Sequence, residues 1–181
     1  WNYFDVYWIK NRLKIMWIEQ AYKNEYSDSK KHGLRLIFRS GADKQFRLYI
    51  LSFAKWLRKR YWFPIRVEIR FLHSEEIRLN DGRSVLAVFN YQKNWDNVPT
   101  SDKVCPLIYI AIGKLRRQLQ RHGWEETLYN YMFSIVHELT HYYQWYFYEF
   151  EKRSSRSLET EANSWAYALA GEYIKSVSVY S

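Results

Sequence analysis

The residues best suited to chemistry in this chain lie in the run His137-Glu138-Leu139-Thr140-His141. If this run is helical, residues four apart stand one above the other on the same face. Both imidazoles can then reach one ion at about 2.0–2.1 Å, a distance that suits zinc. Two histidines that only form hydrogen bonds on a helix face would produce the same pattern, so the spacing alone leaves both interpretations open.

Glu138 is the candidate in this run for proton transfer. It lies one step round the helix from His137, which is too misaligned for the natural third ligand of the same ion. A carboxylate at this step lies beside the open coordination position, where it can take a proton from water. We therefore expect Glu138 to act as a general base.

A catalytic zinc ion needs a third protein ligand besides the two histidines. Glu161 follows His141 by 20 residues, which is enough for one helix to end, a loop to reverse and a second helix to begin. It is followed at once by the small Ala162, which permits close helix packing. Glu159 would lie in the first turn of that helix, where a carboxylate also interacts favourably with the helix dipole. We expect Glu161 to be the third ligand, with Glu159 or Glu172 as the alternatives.

Two helices must position these residues. From Trp124 to about Tyr148 the chain has no Gly or Pro, and apolar residues recur at helical intervals. Residues 151–157 are charged and rich in Ser, with Ser157 as a fair N-cap for a last helix. The apolar face of that helix would consist of Leu158, Ala162, Trp165, Ala166 and Leu169.

Upstream of these helices the patterns predict a small sheet with a helix behind it. Alternating or continuous apolar runs predict strands at residues 34–38, 65–71, 85–89 and 107–112. Helical spacing predicts amphipathic helices at residues 8–22 and 43–62. Asp43 is a good N-cap for the second of these, and Pro64 forbids its continuation. The sequence therefore predicts an α+β fold with one small antiparallel or mixed sheet.

The histidine run, followed by Glu159-Thr160-Glu161-Ala162-Asn163-Ser164-Trp165-Ala166, resembles the gluzincin metallopeptidases, and more narrowly the minimal ones of the ImmA/IrrE type. The resemblance covers roughly residues 43–177. It implies a zincin-like fold with a backing helix, a short sheet, an active-site helix and a downstream glutamate helix. It also implies His137 and His141 as zinc ligands, Glu161 as the third ligand and Glu138 as the general base.

The resemblance further implies a zinc-dependent metalloendopeptidase that acts in the cytoplasm on a protein or peptide substrate, such as a transcriptional repressor. A further donor usually helps to hold the oxyanion in such chemistry. His122, Tyr143, Arg156 and Tyr167 are chemically suitable. The predicted strand at residues 107–112 could pair with an extended substrate, or it could be a buried central strand with no such role.

Charge is spread unevenly along the chain. Residues 1–60 carry 14 Lys and Arg but 5 Asp and Glu, so the entire net charge of +9 lies there. We expect one domain over residues 1–181, with residues 1–40 as a possible basic, aromatic-rich extension. The alternative function is a non-catalytic, zinc-containing module that binds nucleic acid or a regulatory protein through this basic third.

Cysteine content and hydropathy indicate the cellular compartment to be expected. The single Cys105 forbids an internal disulfide, which favours a reducing, cytoplasmic setting. No apolar run approaches the roughly 20 residues of a membrane span, so we expect no membrane association.

Overall fold

The computed structural model of the protein describes residues 16–26, 31–90 and 106–178. Within them the chain is α+β with a mixed sheet, which confirms the predicted class. The strands are β1 (Leu34–Phe38), β2 (Val67–Leu72), β3 (Ile77–Arg78), β4 (Ser84–Val85), β5 (Ala87–Asn90) and β6 (Leu107–Ala111). The helices are α1 (Lys44–Arg60), α2 (Leu115–Tyr146) and α3 (Ser155–Ser178).

Four strands form the main sheet in the order β1-β2-β6-β5. The pairs β1–β2 and β2–β6 are parallel, whereas β5 runs antiparallel to β6 with Phe89 opposite Ile108. The strand β6 therefore lies inside the sheet, and β5 forms an edge that contacts α2. Strands β3 and β4 make a separate short hairpin.

Helix α1 connects β1 to β2 and packs behind the sheet. Its first turn is capped as expected, because the Asp43 side chain accepts a hydrogen bond from the Phe46 amide. The predicted apolar stripe is buried: Phe46, Ile50, Phe53, Ala54 and Leu57. A parallel connection of this kind needs a crossover element, and an amphipathic helix supplies it.

Helix α2 consists of two helical stretches joined at Gly123, whose φ of 75° and ψ of 177° are not helical. The second stretch begins at Trp124, where the sequence predicts the long helix to start, and ends at Tyr146. The first stretch, from Leu115, was not predicted. The left-handed φ at Gly123 favours glycine, which explains why the break falls at this residue.

The chain enters α2 through a close approach between two backbone segments. The Gly113 amide donates a hydrogen bond to the Ser74 carbonyl at 2.8 Å. A side chain at this position would have its Cβ 2.5 Å from the His73 carbonyl oxygen. Only glycine fits here, so this contact fixes the start of the helix that carries the histidines.

Part of the predicted basic extension belongs to the core. Met16, Trp17 and Ile18 are buried with residues of the sheet and of the helices, and β1 forms one edge of the sheet. Residues 20–25 form a 3₁₀ helix rather than the end of the predicted helix at 8–22. The rest of that prediction, residues 8–15, and Cys105 lie outside the described residues. Among the described helices, none has the length and apolar character needed to cross a membrane.

Candidate metal centre

Three potential metal ligands converge where α2 meets the first turn of α3. The Nε2 atoms of His137 and His141 lie 3.1 Å apart. One carboxylate oxygen of Glu159 is 3.3 Å from Nε2 of His137, and the other is 3.4 Å from Nε2 of His141. In the described part of the chain, these three residues form a group of His and Glu side chains whose ligand atoms lie close enough together to hold one metal ion.

Glu161, the predicted third ligand, does not join this group. Its Oε2 accepts hydrogen bonds from Nε2 of Gln144 at 3.0 Å and from Nη1 of Arg153 at 2.7 Å. The acidic member is instead Glu159, which the sequence offers as an alternative. The structure therefore brings Glu159, and not Glu161, together with the two histidines.

Helix geometry explains why Glu159 and Glu161 lie in different surroundings. Residues two apart on a helix point about 200° from each other, so Glu159 and Glu161 cannot both face α2. Ala162 and Asn163 lie three and four residues after Glu159, on the same face as that residue. The small Ala162, which is fully buried, therefore permits the close approach of Glu159. A polar Asn163 one turn above Glu159 is the signal in the sequence that could have identified this face.

Each histidine is held through its other ring nitrogen. Nδ1 of His137 lies 3.0 Å from Oδ1 of Asn163, and Nδ1 of His141 lies 2.7 Å from Oε1 of Gln144. Since an amide oxygen can only accept, each Nδ1 is placed to donate its hydrogen, and each Nε2 is the ring nitrogen that faces the other histidine and Glu159. This arrangement is typical of histidines that bind metals, in which outer partners fix the tautomer and the ring.

The donor set fits zinc. Two imidazole nitrogens and a carboxylate are a common ligand set for catalytic zinc sites. Ligands at about 2.0–2.1 Å in a tetrahedron are separated by about 3.3–3.4 Å, and the three separations here are 3.1, 3.3 and 3.4 Å. The two histidine side chains are 17% and 12% exposed, whereas Glu159 is 56% exposed. One side of the group therefore faces solvent, where a fourth ligand could enter.

Glu138 lies beside this group and is buried. Burial raises the pKa of its carboxyl to about 8, a net value that includes the lowering effect of a hydrogen bond from the Phe89 backbone and a smaller raising effect of the negative charge of Glu159. A divalent cation at the three ligands would act in the opposite direction and favour the carboxylate form. The Phe89 amide fixes the position of the carboxylate relative to β5.

An open cleft of about 510 Å³ contains the candidate ligands. Its polar lining includes His137, Glu138, His141 and Glu159, with Arg83 and Arg153 nearby. Its apolar lining comes from β4, β5, the segment before α3 and the first turn of α3: Val85, Ala87, Val88, Phe89, Phe150 and Leu158. The cleft is therefore polar near the ligands and apolar along the sheet edge.

None of the four predicted oxyanion donors lines this cleft. Tyr143 is fully buried, and its hydroxyl donates to the Trp62 carbonyl at 2.6 Å. His122 pairs with Glu126 in the first half of α2. Tyr167 is exposed and packs edge-on against Phe133. The cations of the cleft are instead Arg83 and Arg153, which the sequence patterns do not single out.

The strand predicted as a possible partner for substrate does not have a free edge. β6 is paired on one side with β2 and on the other with β5. In the described part of the chain, β5 is the outermost strand on this side, and it lines the cleft. Of the two alternatives for residues 107–112, the structure therefore selects the buried central strand.

Comparisons of the whole chain with models of protein families, with curated proteins and with solved structures find no match.

Proposed function

We propose that this chain is a zinc-dependent metallopeptidase of zincin-like fold, in which His137, His141 and Glu159 hold the metal and Glu138 is the general base. The observation that carries the proposal is the convergence of two imidazoles and a carboxylate at separations of 3.1–3.4 Å. The resemblance to gluzincins supplies the reaction class, the hydrolysis of peptide bonds.

In this proposal His137, His141 and Glu159 would hold a zinc ion, which would supply Lewis-acid chemistry: polarisation of the scissile carbonyl and a lower pKa of water, near neutral pH. Glu138 takes a proton from the attacking water and passes it to the nitrogen of the leaving amine. The Phe89 backbone amide holds the Glu138 carboxylate in place. Asn163 and Gln144 hold the two histidine rings with Nε2 toward the metal.

The substrate in this proposal is an extended peptide segment of a protein. Val88 pairs with Tyr109 and the Leu86 carbonyl accepts from the Ala111 amide, so backbone groups of alternate residues point toward β6. Those of Ala87 and Phe89 then point toward the cleft, where the Phe89 amide is taken by Glu138 and the groups of Ala87 lie along the edge. A peptide in extended conformation could add to this edge by main-chain hydrogen bonds, which would carry it past the metal.

The test combines zinc analysis with a peptide-cleavage assay. The wild-type protein, purified without chelator, should contain one zinc per chain and should cleave members of a pooled peptide library, detected by mass spectrometry. Glu138→Gln should keep its zinc and lose cleavage by about 10²–10⁴-fold, because the amide cannot accept the proton. Equal cleavage by pure Glu138→Gln protein would contradict the role of Glu138. Zinc-loaded wild-type protein that cleaves no peptide would contradict the proposed activity.

The alternative is a non-catalytic module that binds nucleic acid. Its support is the net charge of +9 in residues 1–60, together with the basic exposed face of α1, formed by Lys44, Arg47, Lys55, Lys59 and Arg60. Binding through phosphates should weaken steeply between about 50 and 200 mM salt. A fluorescently labelled DNA duplex tests this directly. Salt-sensitive binding that persists in Glu138→Gln, with no cleavage by the wild type, would favour the module over the peptidase.

A further inference from the structure

We propose that Gln144, Glu161 and Arg153 form a positioning unit that fixes the tautomer of His141 and the placement of Glu159. Glu161 serves in this unit as an anchor and not as a metal ligand. The inference rests on the proposed metal site, and it adds to that site a function for three residues outside the ligand group.

Gln144 is the centre of the unit because all of its amide groups have partners. Its side chain is fully buried. Its Nε2 donates to the Leu158 carbonyl at 2.9 Å and to Oε2 of Glu161 at 3.0 Å. Both partners are pure acceptors, so this atom must be the nitrogen, and the atom 2.7 Å from Nδ1 of His141 must be the oxygen.

This orientation of the amide determines the state of His141. An amide oxygen cannot donate, so Nδ1 of His141 carries the hydrogen. In the neutral ring the lone pair is then on Nε2, the nitrogen that faces Glu159. If the Gln144 amide were reversed, its nitrogen would face Nδ1 and favour the opposite tautomer. The Leu158 carbonyl and the Glu161 carboxylate, by accepting from the Gln144 nitrogen, therefore determine which nitrogen of His141 can bind a metal.

Arg153 and Glu161 keep those acceptors in place. Nη1 of Arg153 donates to Oε2 of Glu161 at 2.7 Å, and Nη2 donates to Oγ of Ser157 at 2.9 Å. Arg153 precedes α3 and Ser157 lies in its first turn, so the guanidinium links the connecting segment to the helix. The Glu161 side chain in this pair is only 14% exposed, which strengthens a charge-assisted hydrogen bond.

The unit also helps to position Glu159, the proposed third ligand. The Leu158 carbonyl that accepts from Gln144 directly precedes Glu159 in the chain. A buried side chain of α2 thus holds the first turn of α3 at the point from which Glu159 reaches the histidines. The partner of His137, in contrast, is Asn163, which is exposed. We expect the buried unit to contribute more to metal affinity than Asn163 does.

The first experiment measures zinc affinity by competition with a chromophoric chelator in Glu161→Ala and Glu161→Gln. Glu161→Ala should weaken zinc binding by about 10–100-fold, the usual effect of losing an outer partner. Glu161→Gln should bind like the wild type, because both hydrogen bonds go to one oxygen, which a glutamine carbonyl can replace. Glu149→Gln is the matched control, since Glu149 also contacts Arg153 but lies 3.8 Å from it.

Two outcomes would overturn the inference while leaving the metal site intact. If Glu161→Gln loses zinc as strongly as Glu161→Ala, Glu161 is itself a ligand. If both variants bind zinc like the wild type and only unfold at a lower temperature, Glu161 has a structural role alone. Absence of zinc binding by the wild type would instead contradict the proposed function.

The second experiment does not depend on zinc. Long-range ¹H–¹⁵N correlation spectra of the metal-free protein report which nitrogen of His141 carries the hydrogen. The wild type should show hydrogen on Nδ1, and Gln144→Leu should lose this preference. Wild-type protein with hydrogen on Nε2 of His141 would overturn the inference even where Gln144→Leu fails to fold.

Discussion

The Nε2 atoms of His137 and His141 face each other at 3.1 Å across one turn of α2. Burial and the neighbouring His141 lower the pKa of His137, against the opposing effect of Glu159. The His137 ring therefore favours its neutral form, which is the form that binds a metal ion. This property supports the proposed metal site.

Zinc should raise the thermal stability of the protein, because it would bind the folded chain through residues that separate on unfolding. At a free zinc concentration about 100 times the Kd, the gain is about 2.7 kcal/mol. For a chain of this length that corresponds to an increase in Tm of about 5–10 °C. Differential scanning fluorimetry with and without a chelator measures the shift. His137→Ala should show no such shift, and an equal shift in that variant would locate the zinc elsewhere.

Glu159→Gln should weaken zinc binding by more than the about 10–100-fold expected from loss of an outer partner. The reason is that the substitution removes the only charged member of the ligand group. Glu172→Gln is the matched control, because Glu172 lies on the same helix and pairs at 2.9 Å with Arg60, away from the cleft. Zinc content by mass spectrometry after dialysis distinguishes the two variants. Equal zinc retention in both would show that Glu159 does not bind the metal.

Thr140→Val should destabilise the fold by about 1–3 kcal/mol, because it leaves a buried donor without its acceptor. The Thr140 hydroxyl accepts a hydrogen bond from Nε1 of Trp17 at 3.1 Å, and Thr140 is fully buried. This bond ties the segment at residues 16–18 to helix α2. Urea unfolding of the metal-free protein measures the loss, and Thr140→Ser, which keeps the hydroxyl, is the control. A valine variant as stable as the serine variant would argue against such an anchor.

Arg83→Ala should reduce kcat/KM for peptides with Asp or Glu near the cleavage site by up to about tenfold, and should leave neutral peptides unaffected. Arg83 lines the cleft, and Asp81 holds its guanidinium through Nε and Nη2 at 2.8 and 2.7 Å. Its charge also interacts with Glu159. Arg78→Ala, on the opposite strand of the same hairpin, is the control. An equal loss for acidic and neutral peptides would indicate general disturbance of the hairpin.

Much of the fold follows from local patterns in the sequence. The cap at Asp43, the stripe on α1 and the strand at residues 34–38 all depend on neighbours within a few residues, and all three are as expected. The predicted run at residues 85–89 is less regular, because the chain leaves the hairpin after Val85 and joins the main sheet at Ala87. This change of pairing strand depends on the tertiary structure, and a short apolar run does not indicate it.

The sequence allows the two histidines to be paired, but it does not show which residues of α3 face them. Spacing on one helix is enough to pair His137 with His141, since both belong to α2. The choice between Glu159 and Glu161 depends on how α3 is rotated against α2, which no spacing within α3 reveals. The rotation is set by contacts between elements, such as Gln144 with the Leu158 carbonyl. Arg83 was missed for the same reason, because only the folded hairpin brings it to the cleft.

The contact between Phe89 and Glu138 has a consequence for how freely the sheet edge can vary. Glu138 is held by the main chain of Phe89, whereas the aromatic ring packs against Trp145 and Phe150. Every residue except proline can offer the same amide at position 89. Substitutions there can therefore reshape the wall of the cleft without releasing Glu138, the proposed general base. Under the proposed function, a change at this one position would alter the substrate preference and leave the chemistry intact.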